Sequence, residues 1–131
     1  MKDSSIEYSI SKEDERFKIA VDLFNSKNWY RAHDVFEEIW HETSGPERST
    51  IQAFLQTAVA QLHLENGNIN GATILFGEAL GRLKKLGSPH LGLDIKKLSN
   101  CLEINLDCLH QKFSLEKFCT PYLSELDPGG A

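Results

Sequence analysis

His33 and Glu37 are the residues whose types and spacing point most directly to chemistry. They stand four positions apart, so on a helix their side chains project from one face and reach each other or a shared ion. An imidazole and a carboxylate placed in this way are two ligands of a zinc-type site, or a hydrogen-bonded pair. His41 continues the line, but it lies about 12 Å from His33 along a helix axis. The chelating unit on this helix is therefore His33 with Glu37.

A second polar line runs through a segment that is otherwise apolar. Gln52, Gln56 and His63 fall within about 40° of one another when each helical residue turns by 100°. Buried polar groups need partners, so we expect this line to face His33 and Glu37. The convergence would place five polar groups together, and His33, Glu37 and His63 would then form a three-ligand metal set.

Three interpretations of these polar groups are open. In a buried hydrogen-bond network, Glu37 orients His33, the glutamines tie neighbouring helices together, and nothing binds. In a ligand pocket, the same groups hold a protein segment or a small molecule. In a metal site, the protein is a small metal-dependent hydrolase, although glutamine is a poor ligand for zinc. We expect a binding or interaction module without a cofactor, with a divalent metal and hydrolase activity as the alternative.

Size and composition limit the kind of protein that the chain encodes. Its 131 residues, 40% of them hydrophobic, suffice for one helical domain over residues 1–131. The formal net charge of -5 argues against binding nucleic acid, which normally requires a basic surface. The amino terminus lacks the apolar run of a secretory signal, and no stretch approaches the length of a membrane span. We therefore expect a cytoplasmic protein whose partners are not nucleic acids or membranes.

The three cysteines fit neither a disulfide framework nor a zinc knuckle. Cys101, Cys108 and Cys119 are odd in number and lack a CxxC spacing. Cys101 and Cys108 stand seven residues apart, on one face of a predicted helix. We therefore expect buried, reduced thiols rather than a redox role.

An internal repeat determines how the candidate residues are positioned. The segment 23–40 aligns without a gap on 63–80, forty residues further on. A period of this size marks two copies of one supersecondary unit, each too small to bury its apolar face alone. The matched pairs are Asn28 with Asn68, Trp29 with Ile69, Ala32 with Ala72, Phe36 with Phe76, Glu38 with Glu78, and Trp40 with Leu80.

Helical periodicity and capping signals place repeat one at about 12–42, repeat two at about 47–86 and a C-terminal helix at about 93–111. Ser11 and Asp14 resemble a capping box at the start of the first helix. Phe36 and Trp40 are expected to be buried between the repeats. A short helix and a frayed tail are predicted after Phe113.

Glycines mark the second repeat in two ways. Gly67 follows a predicted helix and Asn68 can cap the next one. Gly71, Gly77 and Gly81 each cost roughly 1 kcal/mol relative to alanine inside a helix, so a close approach of a neighbouring backbone is the expected reason for them.

Two resemblances extend this interpretation. The order of aromatic and alanine positions in each copy resembles the tetratricopeptide hairpin. The segments FNSKNWYRAHDVFEEIW and QAFLQTAVAQLHLENGNINGA are similar to an uncharacterised helical family of bacteria, archaea and plastids, classed as a domain of unknown function. Its pattern is approximately F-N-x-G-x-Y-Y-x-A-H-E-x-x-E-x-x-W, then Q-G-L-I-Q and H-x-x-x-G-N-x-x-G-A.

The family resemblance implies an all-α fold. Because two repeats are too few for an open solenoid, and because periodicity adds a C-terminal helix, we expect a compact five-helix bundle built from two tetratricopeptide-like hairpins and that helix. The family resemblance implies no established reaction. It adds Asp34 to the candidate ligand residues, because Asp34 stands beside His33 where the family has glutamate. Lys27 and Ala53 replace glycines of the pattern, and Lys27 raises the cost of any left-handed turn at its position.

Overall fold

Five α-helices follow one another within the part of the chain that the structure describes, and the first four pair into two hairpins. The computed structural model describes residues 14–111 and 115–126. Each helix packs most extensively against its neighbours in the chain. This arrangement confirms the predicted all-α fold. The helices are α1 Glu15–Asn25, α2 Trp29–Glu42, α3 Pro46–Glu65, α4 Ile69–Leu83 and α5 Ile95–Gln111.

The first helix is described from its N-cap onward and runs over Glu15–Asn25. Asp14 is its N-cap, and its carboxylate accepts a hydrogen bond from the Arg16 backbone N–H at 2.8 Å. The predicted start near Lys12 and the Ser11 half of the capping box lie outside the described residues. Arg16 also donates two hydrogen bonds to Glu42, at 3.1 and 2.9 Å, which join the start of α1 to the end of α2. These bonds and the positive charge hold the pKa of Glu42 below its ordinary value.

The turns inside the two hairpins have the same hydrogen bonds at an offset of forty residues. The Asn28 N–H donates to the Leu23 carbonyl at 2.9 Å, and the Asn68 N–H donates to the His63 carbonyl at 2.7 Å. A bond from the residue after the left-handed position back to the third residue from the helix end is the Schellman arrangement. The repeat read from the sequence therefore corresponds to a repeated helix-turn-helix geometry.

The residue before each capping asparagine has a left-handed backbone. Lys27 has a φ of 67° and Gly67 has a φ of 77°. Glycine adopts this conformation without a steric cost, whereas a lysine Cβ approaches the following carbonyl. Lys27 therefore carries backbone strain that the second hairpin avoids.

Phe36 lies at the centre of the first hairpin's core. Its ring centroid lies 6.4 Å from Phe17, 6.3 Å from Phe24 and 5.6 Å from Phe54, so it connects α1 and α2 to α3. All four rings are buried. Such tilted and edge-to-face contacts add to the stabilisation that burial alone provides. The expected burial of Phe36 between the repeats is confirmed.

Trp40 does not share this burial. It is only partly covered and packs against the edge of the core. The Arg48 guanidinium lies 3.9 Å from its ring centroid, in a cation–π contact at the turn between α2 and α3. The expected burial of Trp40 between the repeats is therefore only partial, and this residue lies in the last turn of α2.

The predicted backbone approach at the α4 glycines was wrong. A Cβ at Gly71 would meet side chains rather than backbone: Asn68 at 2.7 Å and His63 at 3.0 Å. Gly77 and Gly81 are exposed, and a Cβ at either would meet no atom within 4 Å among the described residues. Of these three glycines, Gly71 alone lies where a Cβ would collide with neighbouring described side chains.

The chain after α5 returns across the molecule. A single 3-10 turn, Leu115–Lys117, is followed by an extended segment, residues 118–126, which we call the C-terminal strap. Its Leu123 is buried in the core, and its Phe118 ring lies 6.4 Å from Phe76. The short helix predicted after Phe113 is thus a 3-10 turn, and the PGGA tail falls outside the described residues.

Two asparagines hold the backbone of the C-terminal strap. The Asn25 side chain donates to the Leu123 carbonyl at 3.0 Å and accepts from the Leu123 N–H at 2.7 Å. Asn105 does the same with Cys119, at 2.9 and 2.8 Å. Because Asn25 ends α1 and Asn105 lies in α5, the strap links the first helix to the last.

The segment before α5 binds the other edge of the strap. Leu93 forms isolated bridges with His90 and with Glu125, and α5 begins two residues later than its predicted start at residue 93. The Asp94 N–H donates to the Ser124 carbonyl at 2.8 Å. Within residues 14–111 and 115–126, no helix is both long enough and apolar enough to cross a membrane.

Candidate functional site

The outer edge of α2 carries the residues that could bind a ligand. Ala32 and Phe36 are fully buried, so the neighbouring positions, His33 and Glu37, turn by about 100° toward the edge of the helix. Asp34 turns one step further. The apolar spacing of α2 therefore places an imidazole and two carboxylates on a surface that ligands can reach.

His33 lies between the two carboxylates. Its Nδ1 is 3.3 Å from Asp34 Oδ1, and its Nε2 is 3.7 Å from Glu37 Oε1. One ligand atom from each of these three residues can be chosen so that all lie within 4.8 Å of one another. The side chains are 24%, 53% and 48% exposed for His33, Asp34 and Glu37, respectively. We call these three residues the His33 cluster.

Among the described residues, neither ring nitrogen of His33 forms a hydrogen bond of ordinary geometry within this cluster. Its Nδ1 is buried, yet it has no hydrogen-bond partner among the residues that the structure describes, because the approach of Asp34 is poorly aligned. The contact between Nε2 and Glu37 at 3.7 Å is too long for a hydrogen bond. Tyr30, which is 63% exposed, extends the surface, with its ring centroid 6.4 Å from that of His33.

The second polar line faces α4 and does not join the His33 cluster. The Gln56 amide donates to Glu78 at 2.8 Å and accepts from Arg82 at 3.2 Å. Arg82 also donates to the Ser49 hydroxyl at 3.2 Å. Both functional atoms of the Gln56 amide are thus used within the second hairpin, as expected for a structural network.

His63, the predicted third metal ligand, belongs to the turn of the second hairpin. Its Nδ1 lies 3.3 Å from Asn68 Nδ2, and its ring lies against Gly71. The group of possible metal ligands contains Asp34 and not His63. Gln52, the remaining candidate, is partly buried. The convergence of both polar lines is therefore not seen, because α3 has two packed faces and this line lies on the one toward α4.

Sequence reasoning missed the partners of Gln56. Glu78 and Arg82 are one turn apart on α4, and such a pair usually indicates a solvated surface. Glu78 repeats Glu38 at the forty-residue offset, but Glu38 is exposed, so the repeat did not indicate a partner for Gln56. Asn105 gave a clearer signal, since it is a polar residue at a position that the apolar spacing of α5 marks for burial.

A shallow surface pocket of about 410 Å³ lies away from these residues. It is formed by the end of α4 and the start of α5, and none of the predicted site residues lines it. Its Lys84 is paired with Glu103 at 3.0 Å, so one of its two lysines is already neutralised. The candidate ligand residues therefore lie on α2 and not in this pocket.

Comparison with known protein families bears on α1 to α4. Residues 17–75 match the family model of DUF309, a domain of unknown function. This match confirms the resemblance to an uncharacterised helical family. The matched segment contains the whole His33 cluster and the turn at Lys27, but it contains neither α5 nor the C-terminal strap. None of the curated proteins compared with the chain matches it. The biochemical function thus has to be inferred from the site itself.

Proposed function

We propose that this protein is a small binding module and that the His33 cluster is its ligand site, with a divalent cation as the ligand. The observation that carries the proposal is the grouping of three potential ligand atoms within 4.8 Å around an imidazole whose Nδ1 has no hydrogen-bond partner among the described residues. Nitrogen and carboxylate oxygen together suit zinc and manganese better than calcium or magnesium.

The spacing is close to what an ion requires. Ligands at about 2.0–2.2 Å from zinc lie at most about 4.4 Å apart across the ion. Because Asp34 and Glu37 are about half exposed, a rotation of each side chain suffices to close the difference. Histidine can use only one nitrogen for one ion, so His33 would supply one ligand atom, and Glu37 and Asp34 would supply the other two.

The position of the cluster favours binding over hydrolysis. Hydrolytic metal sites exclude bulk water and orient a substrate beside the ion. The His33 cluster lies on one exposed helix face, so an ion held there would keep several coordination positions open. Those positions are suited to a carboxylate or carbonyl from a partner protein, which would make the cation a bridge between two molecules.

The proposal is tested by titrating zinc and manganese into the untagged full chain and measuring heat. We expect saturable binding with one ion per chain in the micromolar to millimolar range. His33→Ala and Glu37→Gln should each weaken binding at least about tenfold, since second-shell changes alone cost this much in known sites. Glu38→Gln is the matched control, because Glu38 is exposed on the same helix but outside the cluster.

Two outcomes would contradict the proposal. Equal binding by the wild type and His33→Ala would place the ion elsewhere, and a loss of stability without any measurable binding would make the cluster a structural network. Near-stoichiometric metal in protein purified without added ions, together with metal-dependent hydrolysis of ester or phosphate substrates, would favour the hydrolase alternative instead.

A further inference from the structure

Cys101 and Cys119 meet where the C-terminal strap crosses α5. Cys101 Sγ donates a hydrogen bond to the Cys119 carbonyl oxygen at 3.2 Å. Asn105, one turn further along α5, holds the Cys119 backbone through bonds of 2.9 and 2.8 Å. Three contacts thus fix the Cys119 backbone against the face of α5 that carries Cys101.

The two thiols have different surroundings. Cys101 is 5% exposed, and burial, together with a hydrogen bond to the Cys119 thiol, raises its pKa. Cys119 is partly exposed, and its Sγ lies 3.9 Å from the neighbouring Thr120 carbonyl. A small oxidant therefore reaches Cys119 first, while Cys101 is protected from it.

We propose that Cys101 and Cys119 are a reversible oxidation site, in which a peroxide converts the two thiols to a disulfide that locks the C-terminal strap onto α5. The Cys101 sulfur lies 3.2 Å from the carbonyl oxygen of Cys119, so the two residues that would be linked are already in contact. The third cysteine is unsuited to this role, because Cys108 lies about 10 Å from Cys101 along the axis of α5.

The reaction balances with one peroxide per disulfide. The Cys119 thiolate attacks one peroxide oxygen and the O–O bond breaks. The leaving oxygen takes up a proton, so hydrogen peroxide gives one water and a sulfenic acid on Cys119. Cys101 sulfur then attacks Cys119 sulfur, the S–O bond breaks, and the departing hydroxide combines with the Cys101 proton as a second water. The two thiols together lose two electrons, which the peroxide gains.

The experiment treats the reduced full chain with hydrogen peroxide, blocks the remaining thiols with iodoacetamide, and maps disulfides by peptide mass spectrometry. We expect an intramolecular link between Cys101 and Cys119, with the loss of two hydrogen masses, and its reversal by dithiothreitol. The oxidised protein should melt at least about 5 °C higher than the reduced protein, because the link closes a loop between the two residues.

Substitutions make the assignment specific. Cys108→Ser should form the same disulfide and show the same melting shift, whereas Cys119→Ser should show neither. Because serine at the buried position 101 risks destabilising the fold, the mapped link in the wild type decides the role of Cys101. Oxidation of Cys119 to a sulfinic acid without a link, links only between chains, or a link to Cys108 in folded protein would each overturn the proposal.

Discussion

Lys27 shows how one residue departs from the geometry that its repeat imposes. The turn after α1 requires a left-handed residue, and the equivalent turn after α3 supplies Gly67 at that place. The family pattern also has glycine at this point, so the sequence alone predicted the strain. The side chain of Lys27 is exposed and forms no hydrogen bond or ion pair among the described residues. No side-chain contact therefore offsets the backbone strain.

We expect Lys27→Gly to raise the free energy of unfolding by about 0.5–1 kcal/mol. The substitution relieves about 1–2 kcal/mol of left-handed strain, and glycine's greater loss of backbone entropy offsets about 0.5–1 kcal/mol of this gain. Urea denaturation followed by circular dichroism measures the change. Gly67→Ala is the matched control and should lower stability by about 1 kcal/mol. A decrease in stability for Lys27→Gly would show that the left-handed position carries no strain.

His33 illustrates the limit of prediction at the same scale. The spacing of His33 and Glu37 was sufficient to predict their proximity, because four residues make about one helical turn. The contribution of Asp34 came from the family resemblance, since a residue next in sequence normally points away. In the structure, the His33 imidazole lies between Asp34, on its Nδ1 side, and Glu37, on its Nε2 side.

At the scale of the element, the C-terminal strap was the feature that sequence patterns did not reveal. Extended segments with proline and few alternating apolar residues resemble a tail, and the strap contains Pro121. What fixes its position is tertiary: each asparagine offers a donor and an acceptor that match one peptide unit of the strap. Such pairing leaves a weak mark in the sequence, namely a buried Asn105 within an apolar helix face.

Asn105→Ala should lower the free energy of unfolding by about 1–3 kcal/mol, because it leaves the Cys119 N–H without its partner and removes one of the two hydrogen bonds that the Cys119 carbonyl accepts. Hydrogen exchange should also become faster at Cys119 and Leu123. Asn100→Ala, an exposed change on the same helix, should alter stability by less than about 0.5 kcal/mol. If exchange in the strap is unchanged in Asn105→Ala, the asparagine does not hold the strap.

At the scale of the whole molecule, the sequence predicted the two repeats, but it did not predict which helix the polar line through Gln56 faces. Identity at a fixed offset gave the number of hairpins, and the hydrogen bonds of both turns agree with it. Periodicity shows which side of a helix is buried, but a central helix such as α3 is buried on two sides. The polar line through Gln56 was therefore assigned to α2, whereas its partners lie on α4.

The same reasoning ranks the aromatic residues that hold the two hairpins together. Phe36 has no exposed surface and contacts rings from both α1 and α3, while Trp40 lies partly in solvent under Arg48. Removal of a large side chain costs most where the surrounding helices cannot collapse into the cavity. Because α2 is held between α1 and α3, the space left by Phe36 would remain open.

Phe36→Ala is therefore expected to lower the free energy of unfolding by about 3–5 kcal/mol, as for other buried aromatic truncations. Trp40→Ala should cost about 1–3 kcal/mol, since only part of its surface leaves water on folding. Urea titrations of both variants measure the difference, with Ile74→Ala, at a 60% exposed position, as the control within about 0.5 kcal/mol of wild type. A larger loss for Trp40→Ala than for Phe36→Ala would mean that the end of α2, rather than its middle, joins the two hairpins.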